Sequence, residues 1–271
     1  MTLRVTSLAS GSSGNALLIQ ADGAALLVDC GLPQRTIERH MRRAGLSTAD
    51  LAAVLLTHEH GDHTLSAGPL ARRHSIPIVA NRPTAAALGE SIAGVTLREL
   101  PVGGATTIGP FVVRSFAVPH DAAAPVGYTI QARGWCVGVA IDLGSWNDGV
   151  LDGLRAADLV VIEANHDRER LRAAPYAWQV KQRIYSPLGH LDNMDAGGLL
   201  ARLGADGRQR TAWLAHLSER ANSPKIALDI VGSVLALAEV ACIDLHALPR
   251  YAPLTWDSDR LLRQMGLFAE G

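Results

Sequence analysis

The sequence contains no apolar run near the roughly 20 residues that a bilayer-spanning helix needs, which excludes a membrane-spanning helix. It also lacks an opening stretch of the secretory-signal type, and the expected setting is the cytoplasm. Cysteine is scarce: Cys30, Cys136 and Cys242 stand far apart, with no C-x-x-C pair. That spacing excludes a thiolate metal knuckle and suits three small buried side chains in a reducing compartment. Neither sign of charge is in excess. With 25 Lys and Arg against 26 Asp and Glu, the net charge is -1, so any hold on nucleic acid must come from a local basic patch. Internal repeats, low-complexity tracts and Pro/Gly-rich linkers are also missing. The 271 residues, 48% of them hydrophobic, are therefore expected to fold as one domain spanning 1–271.

What is present centres on Thr57-His58-Glu59-His60-Gly61-Asp62-His63, which follows directly on the aliphatic run 51–56. Such a run reads as a buried strand delivering polar side chains into a cleft at its C-terminal end. His58 and His60, one residue apart in an extended segment, point the same way and can grip one divalent ion. Gly61 lets the chain bend back, so that Asp62 and His63 can face a second ion. Two ions need further ligands, and three residues stand at the ends of other apolar strands. His120 ends 111–118, Asp142 ends 135–141 and His216 ends 211–215. His120 would complete the site of His58 and His60, His216 that of Asp62 and His63, and Asp142 would bridge both. His246 closes a further strand and rivals His216. A nitrogen and carboxylate shell without thiolate suits zinc first, and admits manganese or iron.

The chain opens with three short strand patterns at 3–8, 16–20 and 24–28, the start of a meander. Between the first two, Gly11 and Gly14 with Ser12, Ser13 and Asn15 form either a donor-rich cradle for phosphate or an ordinary polar loop. Asp29 is placed to orient a ligand histidine from beneath the metal loop. Pro33 opens a helix to about Ala44, and Thr64 is expected to cap another that ends near His74; His40 and His74 read as structural or surface residues. Further strands are expected at 76–80, 95–100, 106–118, 126–132, 135–141, 159–162 and 240–245. Helices are expected to start at Pro83, to cover 148–156 and to cover 223–237. Sheets with helices on their outer faces in this order make an α/β fold, a four-layer αβ/βα sandwich.

One segment is basic within a neutral chain. Residues 166–183 carry Arg168, Arg170, Arg172, Lys181 and Arg183, and Tyr176, Trp178 and Tyr185 lie close by. As a helix it would turn Val180 and Ile184 inward and leave Trp178, Lys181 and Tyr185 along an edge. Cations with rings suit a single-stranded nucleic acid, and the same pattern fits an amphipathic helix with its aromatics in the core.

Val28-Asp29-Cys30-Gly31, the H-x-H-x-D-H loop, His120, Asp142 and His216 together resemble the metallo-β-lactamase superfamily of dinuclear hydrolases, nearly end to end. More narrowly, the chain is similar to the YycJ-type branch of exonuclease- or phosphodiesterase-like hydrolases. The motifs that carry this are Ser7 to Asn15, Val118-Pro119-His120-Asp121-Ala122, Gly127-Tyr128, Glu163-Ala164-Asn165-His166-Asp167, Gly189-His190-Leu191 and His216-Leu217-Ser218-Glu219. The resemblance implies the same sandwich and selects His216 over His246. It also implies that His190 lies near the metals as the acid for a leaving alkoxide, with Glu163 and His166 orienting it or touching phosphate. The expected protein is a hydrolase with two divalent ions acting through a metal-held hydroxide on a phosphodiester, with single-stranded DNA in view. Asp62 would accept or position the attacking proton, and Lys181 and Arg183 would contact substrate. A carbonyl-ester, thioester or lactone hydrolase on the same metals is the alternative, ahead of a noncatalytic binding protein. Self-association into a homo-oligomer is compatible with all of these.

Overall fold

In the computed structural model, which describes residues 2–259, β1 (Arg4–Ala9), β2 (Ala16–Ala21) and β3 (Ala24–Val28) form an antiparallel meander. From β3 the sheet continues in parallel through β4 (Leu51–Leu55), β5 (Ile78–Ala80) and β6 (Leu97–Glu99). The crossovers carry α1 (Gln34–Arg43), α2 (Gly61–Thr64), α3 (Ala67–His74) and α4 (Arg82–Leu88). The second sheet repeats the plan. Antiparallel β7 (Ala105–Ile108), β8 (Phe111–Ala117), β9 (Val126–Ala132) and β10 (Trp135–Ala140) lead into parallel β11 (Leu159–Glu163), β12 (Arg210–Ala215) and β13 (Ile243–Ala247). Its connections hold α5 (Asp148–Leu154), α6 (Arg168–Ala173), α7 (Trp178–Tyr185), α8 (Asn193–Gly204) and α9 (Pro224–Leu237). A last strand, β14 (Leu254–Asp257), crosses back to pair with β1.

Three apolar cores separate the layers. Leu26, Val28 and Leu55 of the first sheet meet Phe111, Tyr128, Val161 and Trp213 of the second in a core between the sheets. Neighbouring residues point the other way, as the period of a strand requires. Leu27 and Val54 pack on Ile37, Met41 and Leu70, while Val160, Ile162 and Leu214 pack on Leu154, Leu199 and Val231. Both faces of the central strands are covered, which is why β4 and β11 read as unbroken aliphatic runs. The order helix, sheet, sheet, helix is the four-layer αβ/βα sandwich.

Local details differ from expectation. The strand expected at 106–118 is a hairpin, β7 and β8, that turns with Gly109 at φ 54°. Thr64 does not cap a helix: it ends α2 and donates its hydroxyl to the His60 carbonyl (3.0 Å), and α3 starts separately after Ser66. The strand expected at 240–245 starts at Ile243, because 240–242 turn out of α9 with Glu239 in the left-handed region. Nothing in the sequence reading anticipated β14.

Phe111 is fully buried between the sheets. Replacing it with Ala is expected to lower the unfolding free energy by about 3–5 kcal/mol in urea denaturation, the usual cost of emptying an aromatic site in a packed core.

Candidate metal centre

The cluster lies where parallel strands of both sheets end. Val28 pairs with Leu55, so Asp29 and the loop 57–63 emerge side by side from β3 and β4. In the other sheet Ala140 pairs with Ile162 and Glu163 with Ala215, which brings out Asp142, Glu163 and His216 together. The crevice beyond the carboxyl ends of parallel strands is the usual ligand position in α/β proteins. Asp29, Asp142 and His216 adopt left-handed backbone, with φ of 59°, 59° and 52°. Asp and His tolerate this region better than most residues, at a cost of about 1–3 kcal/mol each. Each of the three stands one or two positions beyond the end of its strand.

Three groups of four side chains result. His58, His60, His120 and Asp142 present ligand atoms within 4.8 Å of one another, and so do Asp62, His63, Asp142 and His216, and Asp142, Glu163, His190 and His216. Asp142 belongs to all three: its Oδ2 lies 3.7 Å from His58 Nε2, 3.6 Å from His120 Nε2 and 3.3 Å from His63 Nε2. His216 Nε2 lies 3.5 Å from Asp62 Oδ2. The Nε2 atoms of His58 and His216 are buried without a hydrogen-bond partner. An orphaned buried nitrogen is costly unless a cation takes its lone pair, so the donor set fits divalent metal.

Charge within the cluster has the same character. Burial holds the His58 imidazole well below its usual range, so it stays neutral as a ligand must be. Burial alone would raise Asp142, but the His216 and His63 rings override it and hold the carboxylate well below the usual range. His63 resists burial because Asp142 and Asp29 flank it, and its pKa is raised to about 10. A metal ion binding at this ring would therefore displace a proton.

The surrounding contacts orient these groups. Asp29 accepts hydrogen bonds from His63 Nδ1 (2.7 Å), the Thr57 amide (2.9 Å) and the Thr57 hydroxyl (2.9 Å), which leaves His63 Nε2 toward the cluster. The Asn15 amide donates to the Asp62 carbonyl (2.8 Å) and the Gly31 amide to the Asn15 carbonyl (2.9 Å). Gly31 permits this approach: a Cβ there would meet the Asp62 carbonyl oxygen at 1.6 Å. The Asn15 side chain reaches His63 Nε2 at 3.0 Å. The bend before it is not an open anion cradle, because the Gly11 amide donates to Asn15 Oδ1 (2.9 Å) and the Gly14 amide to the Gly11 carbonyl (2.9 Å). Ser12 and Ser13 are exposed, and Ser13 bonds Tyr251 at 3.4 Å. Ser10, which sequence reasoning passed over, is buried and accepts from the His216 amide at 2.8 Å.

Behind the cluster lies Glu163, fully buried, whose Oε1 is 2.8 Å from both His190 Nδ1 and His216 Nδ1. Burial pushes this carboxyl up, but His190 prevails and pulls it down to about 2. The His190 ring lies tilted, its centre 5.3 Å from that of His120 and 5.2 Å from that of His216, and the Gly189 carbonyl before it accepts from His120 Nδ1 (2.9 Å). His166 is buried with both ring nitrogens unpartnered, its ring edge-on to Tyr185 at 5.5 Å, and burial lowers its pKa to about 4. Arg183 pairs with Asp121, whose Oδ1 is 3.3 Å from His120 Nε2, whereas the Lys181 ammonium is taken by the Arg172 carbonyl. His246 lies outside the cluster on exposed β13, bonded to Asp244 at 2.8 Å. His40 is buried, and His74 is half-buried between Thr48 and Glu38. The inward turn expected for Val180 is also wrong, since α7 buries none of its residues.

Five histidines and two aspartates gathered at the shared edge of an αβ/βα sandwich define a metal-dependent hydrolase that binds divalent metal. The model of the beta-lactamase superfamily domain matches residues 25–217, and the chain belongs to that family. It is 37% identical over 238 residues to "Exodeoxyribonuclease YycJ" of Bacillus anthracis, covering 87% of this chain and 90% of that protein. It is 36% identical over 239 residues to "Exodeoxyribonuclease WalJ" of Streptococcus pneumoniae, covering 86% and 88%. These relatives place it in the YycJ-type branch, among nuclease- and phosphodiesterase-like metallohydrolases. The fold is shared with the metallo-β-lactamase fold protein YhfI of Bacillus subtilis, at a TM-score of 0.73 and 19% identity over 95% of this chain and 100% of that one.

Asp29→Ala removes the acceptor behind His63. Metal titration is expected to show one ion bound 10–100-fold more weakly, the usual effect of losing such a partner; unchanged affinity for every ion would show that Asp29 only caps the turn.

Proposed function

We propose that the chain is a DNA exonuclease that uses two divalent ions, zinc first and manganese or iron as alternatives. His58, His60 and His120 hold one ion, Asp62, His63 and His216 the other, and Asp142 stands between them. Bound there, the ions supply an activated water and offset charge on the phosphate oxygens. Asp62, whose carboxylate is the more open of the two aspartates, accepts or positions the proton of the attacking water. Asp29, Asn15 and Ser10 hold the loops that carry the ligands. The reading of the substrate rests on the two exodeoxyribonuclease relatives, matched over more than four fifths of their length. A cytoplasmic setting is supported by three unpaired buried thiols and, among the described residues, by the lack of a helix long and apolar enough to cross a membrane.

The observation that carries phosphodiester chemistry is the His190–Glu163 pair beside the cluster. An alkoxide leaves poorly without a proton, and an imidazole whose Nδ1 is bound to a buried carboxylate can carry one on Nε2. Burial opposes protonation of His190, but Glu163 outweighs it and raises the pKa.

Removal of this group has a specific signature. In the metal-loaded protein, His190→Ala is expected to slow cleavage of end-labelled DNA about 10²–10⁴-fold. Hydrolysis of a bis(p-nitrophenyl) ester, whose leaving group needs no proton, should fall far less. Equal losses on both substrates would remove His190 from the role of acid. A wild-type protein that hydrolyses carbonyl esters and leaves DNA intact would overturn the nuclease reading.

A further inference from the structure

The helix α7 stands beside the metal centre and buries none of its eight residues. Trp178 is 64% and Tyr185 42% exposed, an unusual display for the two largest side chains of one short helix. They are seven residues apart, close to two full turns, so they share one face about 10 Å apart along the axis, with Lys181 between them. The end of the helix is fastened to the metal site. Arg183 pairs with Asp121 next to His120, the Tyr185 hydroxyl donates to the Arg168 carbonyl (2.7 Å), and Ser145 Oγ donates to the Pro187 carbonyl (2.9 Å).

Charge sets what would cover this face. Residues 168–185 hold five basic side chains and one acidic one, in a chain of net charge -1. Arg168, Arg172 and Arg183 are engaged by carboxylates, but among the described residues Arg170 and Lys181 have no carboxylate partner. Arg220 adds a further cation over the Tyr176 ring, 5.7 Å from its centre. Exposed rings that can stack on bases, interleaved with cations for phosphates, suit a single strand, because a duplex keeps its base faces covered.

We propose that α7 is a stacking track that leads a single-stranded DNA chain into the metal centre. The inference rests on the nuclease reading and assigns its substrate path. Trp178 meets a base away from the cleavage point, Tyr185 one nearer to it, and Arg170 and Lys181 follow the backbone between.

The test uses the full, metal-loaded protein and end-labelled oligodeoxythymidines of 2 to 20 nucleotides. In the wild type KM should fall with length. Trp178→Ala should raise KM for the 20-mer about tenfold, as expected for one lost stacked base, and Trp178→Phe should restore most of it. Leu237→Ala, at an exposed position of α9, should match the wild type. A wild-type KM for the 20-mer in Trp178→Ala would overturn the proposal. So would light scattering that shows a wild-type dimer split by Trp178→Ala with no change in KM, since the face would then join two copies of the chain. A wild type that cleaves no oligonucleotide of any length would remove the nuclease reading, and the track with it.

Discussion

Asp142 is the residue on which the rest of the centre depends. One carboxylate lies within 4 Å of four imidazoles from three separate loops, at 2% exposure. Burying it among His58, His63, His120 and His216 would be prohibitive without compensating charge, because the penalty for an ion in a dry interior is several kcal/mol. The rings supply part of that compensation, and a divalent cation held by these residues would supply more. The cluster is accordingly gathered at one edge of the sandwich and not spread over its surface.

The fold meets the constraint by symmetry of plan. Each sheet turns from antiparallel to parallel, and each contributes its parallel strand ends to the same crevice. Left-handed residues at three of those ends cost conformational energy, which the three apolar cores offset. The loops are tied to one another by backbone hydrogen bonds through Asn15, Gly31 and Asp62, so the geometry does not rest on side-chain packing alone.

Much of this was legible in the chain. The strands β4, β8, β10 and β12 are each followed within three residues by a His or Asp, and the gathering of the seven side chains follows from reading those stops as one edge. What escaped depends on distant contacts. Ser10 was one serine among several until β12 brought the His216 amide to it, and of the two residues expected to orient His190, Glu163 bonds it while His166 has both ring nitrogens unpartnered. Of the two readings of the bend at Gly11 and Gly14, the polar loop fits better than the phosphate cradle, because Asn15 closes the bend on itself. The basic aromatic segment was ambiguous in sequence because helical periodicity alone cannot say which face meets the core; the exposure of Trp178 decides it.

Counting metal by mass spectrometry in the wild type and in Asp142→Ala, with DNA cleavage measured on the same samples, tests whether one shared carboxylate assembles a two-ion centre on which turnover depends. Two ions per wild-type chain are expected, and for Asp142→Ala at most one ion with cleavage abolished. An Asp142→Ala protein that keeps two ions and full cleavage would contradict that role for the carboxylate.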